Sequence, residues 1–282
     1  MFHGKMKIGG GVAALAITAL LLSGCVSKPT DEEKAQKITV SGSTTVLPIA
    51  QAAAEAYMKD HTKADITVSG GGSGAGITAI GQGTVDIGMS SREVKDTELA
   101  QYPDLVITVV AKDALVMIVN PSNGLNSINL TAVRGIYNGT IKNWKDLGGS
   151  DTAIVIVGRD SASGTRGYFQ EFIMKNENST SSMLEKNSNG AVKETIAQTP
   201  GAIGYVGLGY TTGGVNALKL DVNGVLVEGS AATVLDKTYP ASRDLFMITK
   251  GPAKGLAKAY IDFILGPAGQ KIVLKQDFVP LK

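Results

Sequence analysis

The chain has 282 residues, 43% of them hydrophobic, with 27 Lys+Arg against 25 Asp+Glu. That is enough apolar material for one large core or two linked ones, and it leaves no basic field to draw nucleic acid. Aromatics at 5% argue against a base-stacking platform, and one cysteine with two histidines excludes a disulfide framework and a Cys/His zinc site.

The N-terminus reads as a targeting segment. Lys5 and Lys7 precede an apolar run from Val12 to Leu22, which ends on Leu22-Ser23-Gly24-Cys25. This basic–apolar–small order is that of a secretory signal, and the run is short for a membrane span. A cysteine after two small residues resembles a lipobox, so residues 1–24 are expected to be a signal peptide and Cys25 a lipidated N-terminus. A plain signal with an incidental cysteine, or an uncleaved anchor, would use the same residues. Residues 25–37 (polar and charged after Val26) read as a tether. Cleavage would remove Lys5 and Lys7 and no acid, leaving bases and acids equal in number. Any anion must then be held by local donors rather than global charge.

Beyond the tether, short β-rich runs alternate with helical stretches. Strands are predicted at Lys37–Ser41, Ala64–Ser69, Val85–Met89, Ala114–Asn120, Ala153–Val157 and Leu245–Thr249. Helices are predicted at Val46–His61, Ile77–Gly81, Leu130–Tyr137, Arg166–Lys175, Leu256–Leu265 and Gly269–Leu274. The alternation implies an α/β fold with a largely parallel sheet. His61, beside Lys59 and Asp60, reads as a solvated helix-end residue.

A recurrence stands out against this pattern. Ser41-Gly42-Ser43-Thr44-Thr45 ends a strand and opens a helix, and so does Gly70 to Gly76 around Ser73. Arg159-Asp160-Ser161-Ala162-Ser163-Gly164-Thr165 does the same, and Ser90-Ser91-Arg92 is a weaker fourth case. A helix N-terminus offers free N–H groups and partial positive charge, glycine admits close approach, and hydroxyls add donors. Together these suit an anion, and Arg159 adds a planar charged fork. Each cluster alone would equally serve as an ordinary N-cap. None is a P-loop, since no Gly-Lys-Ser/Thr ending follows. Gly71-Gly72-Ser73-Gly74-Ala75 only approaches the nucleophile pattern of esterases, and no histidine base accompanies it. No enzyme, cofactor or metal is therefore expected.

Six segments in order, SGSTTVLP (41–48), GGGSGAGI (70–77), VDIGMSSR (85–92), GRDSASGTR (158–166), GAIGYV (201–206) and YPASRDLFMITK (239–250), resemble the phosphate-binding lipoproteins of the high-affinity phosphate ABC importer. The resemblance spans about residues 38–282. It implies a two-lobed α/β fold of the periplasmic-binding-protein kind, each lobe a mixed sheet flanked by helices, with the ligand in the interlobe cleft. Lobe 1 would comprise 38–113 and 246–282, and lobe 2 residues 114–245, with Ala114–Asn120 and Tyr239–Thr249 as the crossings. Ser43, Thr44, Ser73 and Ser91 would donate from one side. Arg159, Ser163, Thr165 and the Gly164 N–H would clamp from the other. The implied role is an extracytoplasmic receptor, anchored through Cys25, that delivers inorganic phosphate to a membrane permease. A monomer is expected.

One position departs from the family pattern. Where its best-known members carry a carboxylate that accepts the proton of hydrogen phosphate, Gly88-Met89-Ser90 is followed here by Ser91. A carboxylate accepts only, whereas serine donates as well, so rejection of sulfate is less assured. Asp160 is the nearest other acceptor in sequence, and its simplest role is to orient Arg159 by pairing. Another oxyanion (sulfate or molybdate), or a surface adhesion or sensor protein on the same fold, are the competing readings.

Overall fold

The computed structural model describes Met1 and residues 36–281; the expected signal peptide, Cys25 and nearly all of the tether lie outside the described residues. In chain order the elements are β1 (Gln36–Gly42), α1 (Leu47–Asp60), β2 (Ala64–Gly70), α2 (Ser73–Gln82), β3 (Ile87–Ser90), α3 (Asp96–Gln101) and β4 (Leu105–Val119). Then follow β5 (Ser127–Asn129), α4 (Leu130–Tyr137), β6 (Val155–Arg159), α5 (Gly164–Tyr168), which runs into a π-helical turn at Phe169–Ile173, β7 (Leu184–Lys186) and α6 (Asn189–Gln198). The chain ends with β8 (Ala202–Gly207), β9 (Asn216–Ala217), β10 (Lys219–Val222), β11 (Val225–Val227), α7 (Ala231–Leu235), β12 (Ser242–Lys250), α8 (Gly255–Leu265) and α9 (Pro267–Lys275).

The architecture is mixed α/β. The strand path runs β2-β1-β3-β12-β4-β8-β6-β7, with β9 beside β4. Parallel pairing holds at both ends, β1 with β2 and β3, and β6 with β7 and β8. The centre is antiparallel, because the chain leaves through β4 and returns through β12. At 15 residues, β4 is long enough to pair β12 along residues 105–114 and β8 along 115–119. The strand–helix alternation alone suggests a largely parallel sheet; the return strand makes it mixed, as the family resemblance implies.

The interior is divided along that path. Val40, Ile49, Ala53, Ile87, Ala111, Leu245, Met247, Tyr260 and Val273 pack into one core. Leu115, Met117, Ile136, Tyr137, Trp144, Phe169, Ile203, Tyr205 and Tyr239 pack into another. Helices α1, α8 and α9 cover the first, as their buried faces Ile49/Ala53/Tyr57 and Leu256/Tyr260/Ile264 require. Trp144 is fully enclosed in the second, its Nε1–H donating to the Gly201 carbonyl at 2.8 Å.

Several local expectations shift. Gln36 and Lys37, assigned to the tether, belong to β1, paired in register with Ala64 and Asp65. Helix α2 starts at Ser73 rather than Ile77, and α5 starts at Gly164 rather than Arg166. In both cases the hydroxyl–glycine residues read as a preceding loop form the first helical turn. Strand β4 extends nine residues upstream of Ala114, through the polar Lys112-Asp113 pair that masked it in sequence. His61 closes α1 as an exposed residue, stacked on the Tyr57 ring at 4.0 Å.

A candidate anion-binding site

The four hydroxyl clusters follow the C-terminal ends of β1, β2, β3 and β6, the side on which open α/β sheets bind ligands. They meet. The Gly74 N–H donates to the Ala162 carbonyl at 3.0 Å, so the first turn of α2 lies against the loop that leads into α5. Gly72 makes this approach possible: its φ is 94°, and a Cβ there would fall 2.6 Å from the Ala162 oxygen. Gly164 is tighter still, since an added Cβ would fall 2.1 Å from Ser73 Oγ and 2.9 Å from Ser91 Oγ. The hydroxyls of Thr45 and Thr165 are 3.0 Å apart, joining the starts of α1 and α5.

Of the eight residues named from sequence, Ser73, Ser91 and Gly164 are thus in one cluster, and Ser43, Thr44, Ser163 and Thr165 stand at the starts of α1 and α5. Their hydroxyls share a hydrogen-bonding state. Ser43 Oγ accepts from the Thr45 N–H at 3.1 Å, and Ser163 Oγ from the Arg166 N–H at 3.1 Å. Ser73 Oγ accepts from the Ser91 N–H at 3.0 Å, and Thr44 Oγ1 from the Asn189 side chain at 3.1 Å. Thr165 Oγ1 accepts from Arg243 at 3.1 Å. A hydroxyl has two acceptor lone pairs and one proton, so accepting an N–H does not consume the proton it can donate, and in the Ser73–Ser91 and Thr45–Thr165 contacts either hydroxyl can be the donor. Capping and anion binding are compatible rather than rival roles here. Ser91 differs: among the described residues its Oγ accepts from no N–H and meets only Ser73 Oγ, at 3.4 Å.

Arg159 is 1% exposed at the end of β6. Its Nε donates to the Lys186 carbonyl and its Nη2 to the Asn187 carbonyl, each at 3.1 Å. Those neutral acceptors orient the fork without cancelling its charge, and Nη1 is buried with no partner among the described residues. Burial lowers the Arg159 pKa, against which the Asp160 charge acts. The pairing role expected for Asp160 is not what is observed: no ion pair joins it to Arg159 among the described residues, and its buried Oδ1 has no partner. The Lys186 carbonyl instead takes both the Arg159 Nε and the Asp160 N–H, the latter at 3.1 Å. Backbone from β7 has displaced the carboxylate as the guanidinium's orienter.

Sequence reasoning missed part of the cluster. Asn189 is fully buried and donates to Thr44 Oγ1 at 3.1 Å and Thr45 Oγ1 at 3.0 Å. Its signal was available, because Ser188-Asn189-Gly190 opens α6 directly after β7 and repeats the polar–glycine helix start. Arg243 and Asp113 form a buried ion pair, with Nη2 to Oδ2 at 2.7 Å. They lie 130 positions apart, so no local pattern marks them.

Comparison with known proteins gives the family. The profile of the PBP superfamily domain matches residues 27–268. The chain belongs to the PBP superfamily. Within the superfamily it is 39% identical over 253 residues to the phosphate-binding protein PstS of Bacillus subtilis (strain 168), covering 89% of this chain and 83% of that one. It is 31% identical to PstS of Borreliella burgdorferi, covering 94% and 96%. Among solved structures, a protein from Clostridium perfringens with bound phosphate superposes with a TM-score of 0.83 at 35% identity, covering 88% of this chain and all of that one. An ABC-type phosphate transport receptor from Vibrio cholerae gives 0.70 at 30% identity, covering 86% and 99%.

Proposed function

We propose that this PBP superfamily member captures inorganic phosphate outside the cytoplasm and delivers it, unchanged, to the permease of an ABC importer. The observation that carries the reading is the donor excess at the site. Hydroxyls that already accept from N–H groups, helix-start amides and a guanidinium with no carboxylate partner among the described residues stand together at the strand-to-helix junctions. Such a surface suits a dehydrated oxyanion and little else. The relatives named phosphate-binding proteins supply the choice of oxyanion.

In this reading Ser43, Thr44, Ser73, Ser91, Arg159, Ser163, Thr165 and the Gly164 N–H contact phosphate. Residues 38–113 with 246–282 form one lobe and 114–245 the other. The lobes close on the ligand by bending where β4 and β12 cross between them. Cys25 carries the lipid that holds a monomer at the membrane. No side chain in the site is placed to act as a nucleophile with a base behind it, so binding without turnover is expected.

Calorimetry of the delipidated protein with phosphate, sulfate and molybdate tests this. Phosphate is expected to bind most tightly. Tighter binding of sulfate would refute phosphate as the cargo.

A further inference from the structure

The anion reading above accounts for one buried guanidinium, and the site holds two. Arg243 on β12 and Asp113 on β4 are direct partners in the antiparallel register of the crossing strands. Asp113 is fully buried. Its Oδ2 accepts from Arg243 Nε at 3.0 Å and Nη2 at 2.7 Å, while its Oδ1 accepts the Leu208 N–H at 2.8 Å. Both carboxylate oxygens are therefore engaged, and the carboxylate meets only one edge of the guanidinium. Nη2 also reaches Thr165 Oγ1 at 3.1 Å and Thr45 Oγ1 at 3.5 Å. Those two hydroxyls join the starts of α5 and α1, so the guanidinium lies where the two helix starts meet. The Tyr168 ring covers it, 5.6 Å from its central carbon. Nη1 is buried and has no partner among the described residues.

An orphaned buried N–H of a charged group is costly, and native structures rarely keep one without a reason. Here two occur together, Nη1 of Arg159 and Nη1 of Arg243. The two groups are close enough for the Arg243 charge to oppose protonation of Arg159, after burial itself. Like charges gathered with unused donors are relieved by an anion placed against both.

We propose that Arg243 is a second anion-contacting arginine, donating through Nη1 from the floor of the site, with Asp113 fixing its orientation from the neighbouring crossing strand. The proposal rests on the phosphate-receptor reading. It gives the crossing strands a direct share in ligand recognition.

Calorimetry with inorganic phosphate on the wild type, Arg243→Lys and the double variant Arg243→Gln/Asp113→Asn decides it. Lysine can still pair with Asp113 but has no second nitrogen to aim at the ligand. The double variant removes both charges and keeps hydrogen-bonding side chains, so no lone buried charge is left to unfold the protein. Each variant is expected to bind phosphate at least tenfold more weakly, while its ligand-free melting temperature stays within a few degrees of wild type. Affinity within threefold of wild type in either folded variant would overturn the proposal. Wild-type protein that binds no phosphate would instead sink the receptor reading, which the same titration separates.

Discussion

Two arginines follow strand ends at this site, and they are treated oppositely. Arg92, after β3, is gripped by Glu98 through both nitrogens, Nη1 to Oε2 at 2.8 Å and Nη2 to Oε1 at 2.7 Å. The Arg92 guanidinium draws the Glu98 carboxyl below its ordinary value, against the burial that would raise it. Arg159, at the end of β6, is oriented by two backbone carbonyls and meets no carboxylate. Both side chains are held in place, yet only one keeps an uncancelled charge. Position after a strand is shared by the two arginines; what orients each guanidinium is not, a carboxylate for Arg92 and two backbone carbonyls for Arg159.

The largest expected effect breaks that contrast directly. Replacing Arg159 by alanine should weaken phosphate binding by about 2–5 kcal/mol, roughly 30-fold to several thousand-fold, as loss of a buried charged partner does. Arg92→Ala should change phosphate affinity less than threefold. Titrating both variants checks this, and an Arg159→Ala protein that folds and binds normally would refute the clamp.

A smaller effect sharpens the geometry. The Cβ of Gly164→Ala would strike Ser73 Oγ and Cβ, at 2.1 and 2.8 Å, only where the two sides of the site are together. Overpacking of this kind costs about 1–3 kcal/mol, or roughly 5- to 150-fold in phosphate affinity. The ligand-free melting temperature should hardly move. Unchanged affinity would mean that this approach of Gly164 to Ser73 is not needed for binding.

The smallest effect concerns selectivity. Ser91→Asp replaces a hydroxyl that accepts from no N–H among the described residues by an obligate acceptor, and should raise the phosphate-over-sulfate affinity ratio by about tenfold. Competition of sulfate against bound phosphate reads that ratio. An unchanged ratio would show that the proton of the ligand is not read at residue 91.

How much could be read in advance varies by residue. The strands Ala64–Gly70 and Val155–Arg159 and the helices α1, α4, α8 and α9 follow from apolar periodicity and were visible to within a few residues. The first turn of α2 was not, because Ser73-Gly74-Ala75-Gly76 has no apolar period and poor helix propensity. The contact of Gly74 with Ala162 ties that turn down from another part of the chain. The upstream part of β4 carries no continuous apolar signal, because Lys112 and Asp113 interrupt the run. Asp113 is accommodated there by an arginine that the sequence places far away.

By itself the sequence determined where hydroxyls, glycines and Arg159 stand at strand-to-helix junctions. Those junctions are local: a strand end, a glycine and a capping hydroxyl lie within a few residues of one another. Tertiary structure alone decided which charges are cancelled. Glu98 reaches Arg92 from the next helix, Asp113 reaches Arg243 across two strands, and carbonyls of 186 and 187 take the place expected for Asp160. The physical reason is that a buried charge is governed by what lies within a few ångströms of it, and in this fold most of those neighbours are distant in sequence.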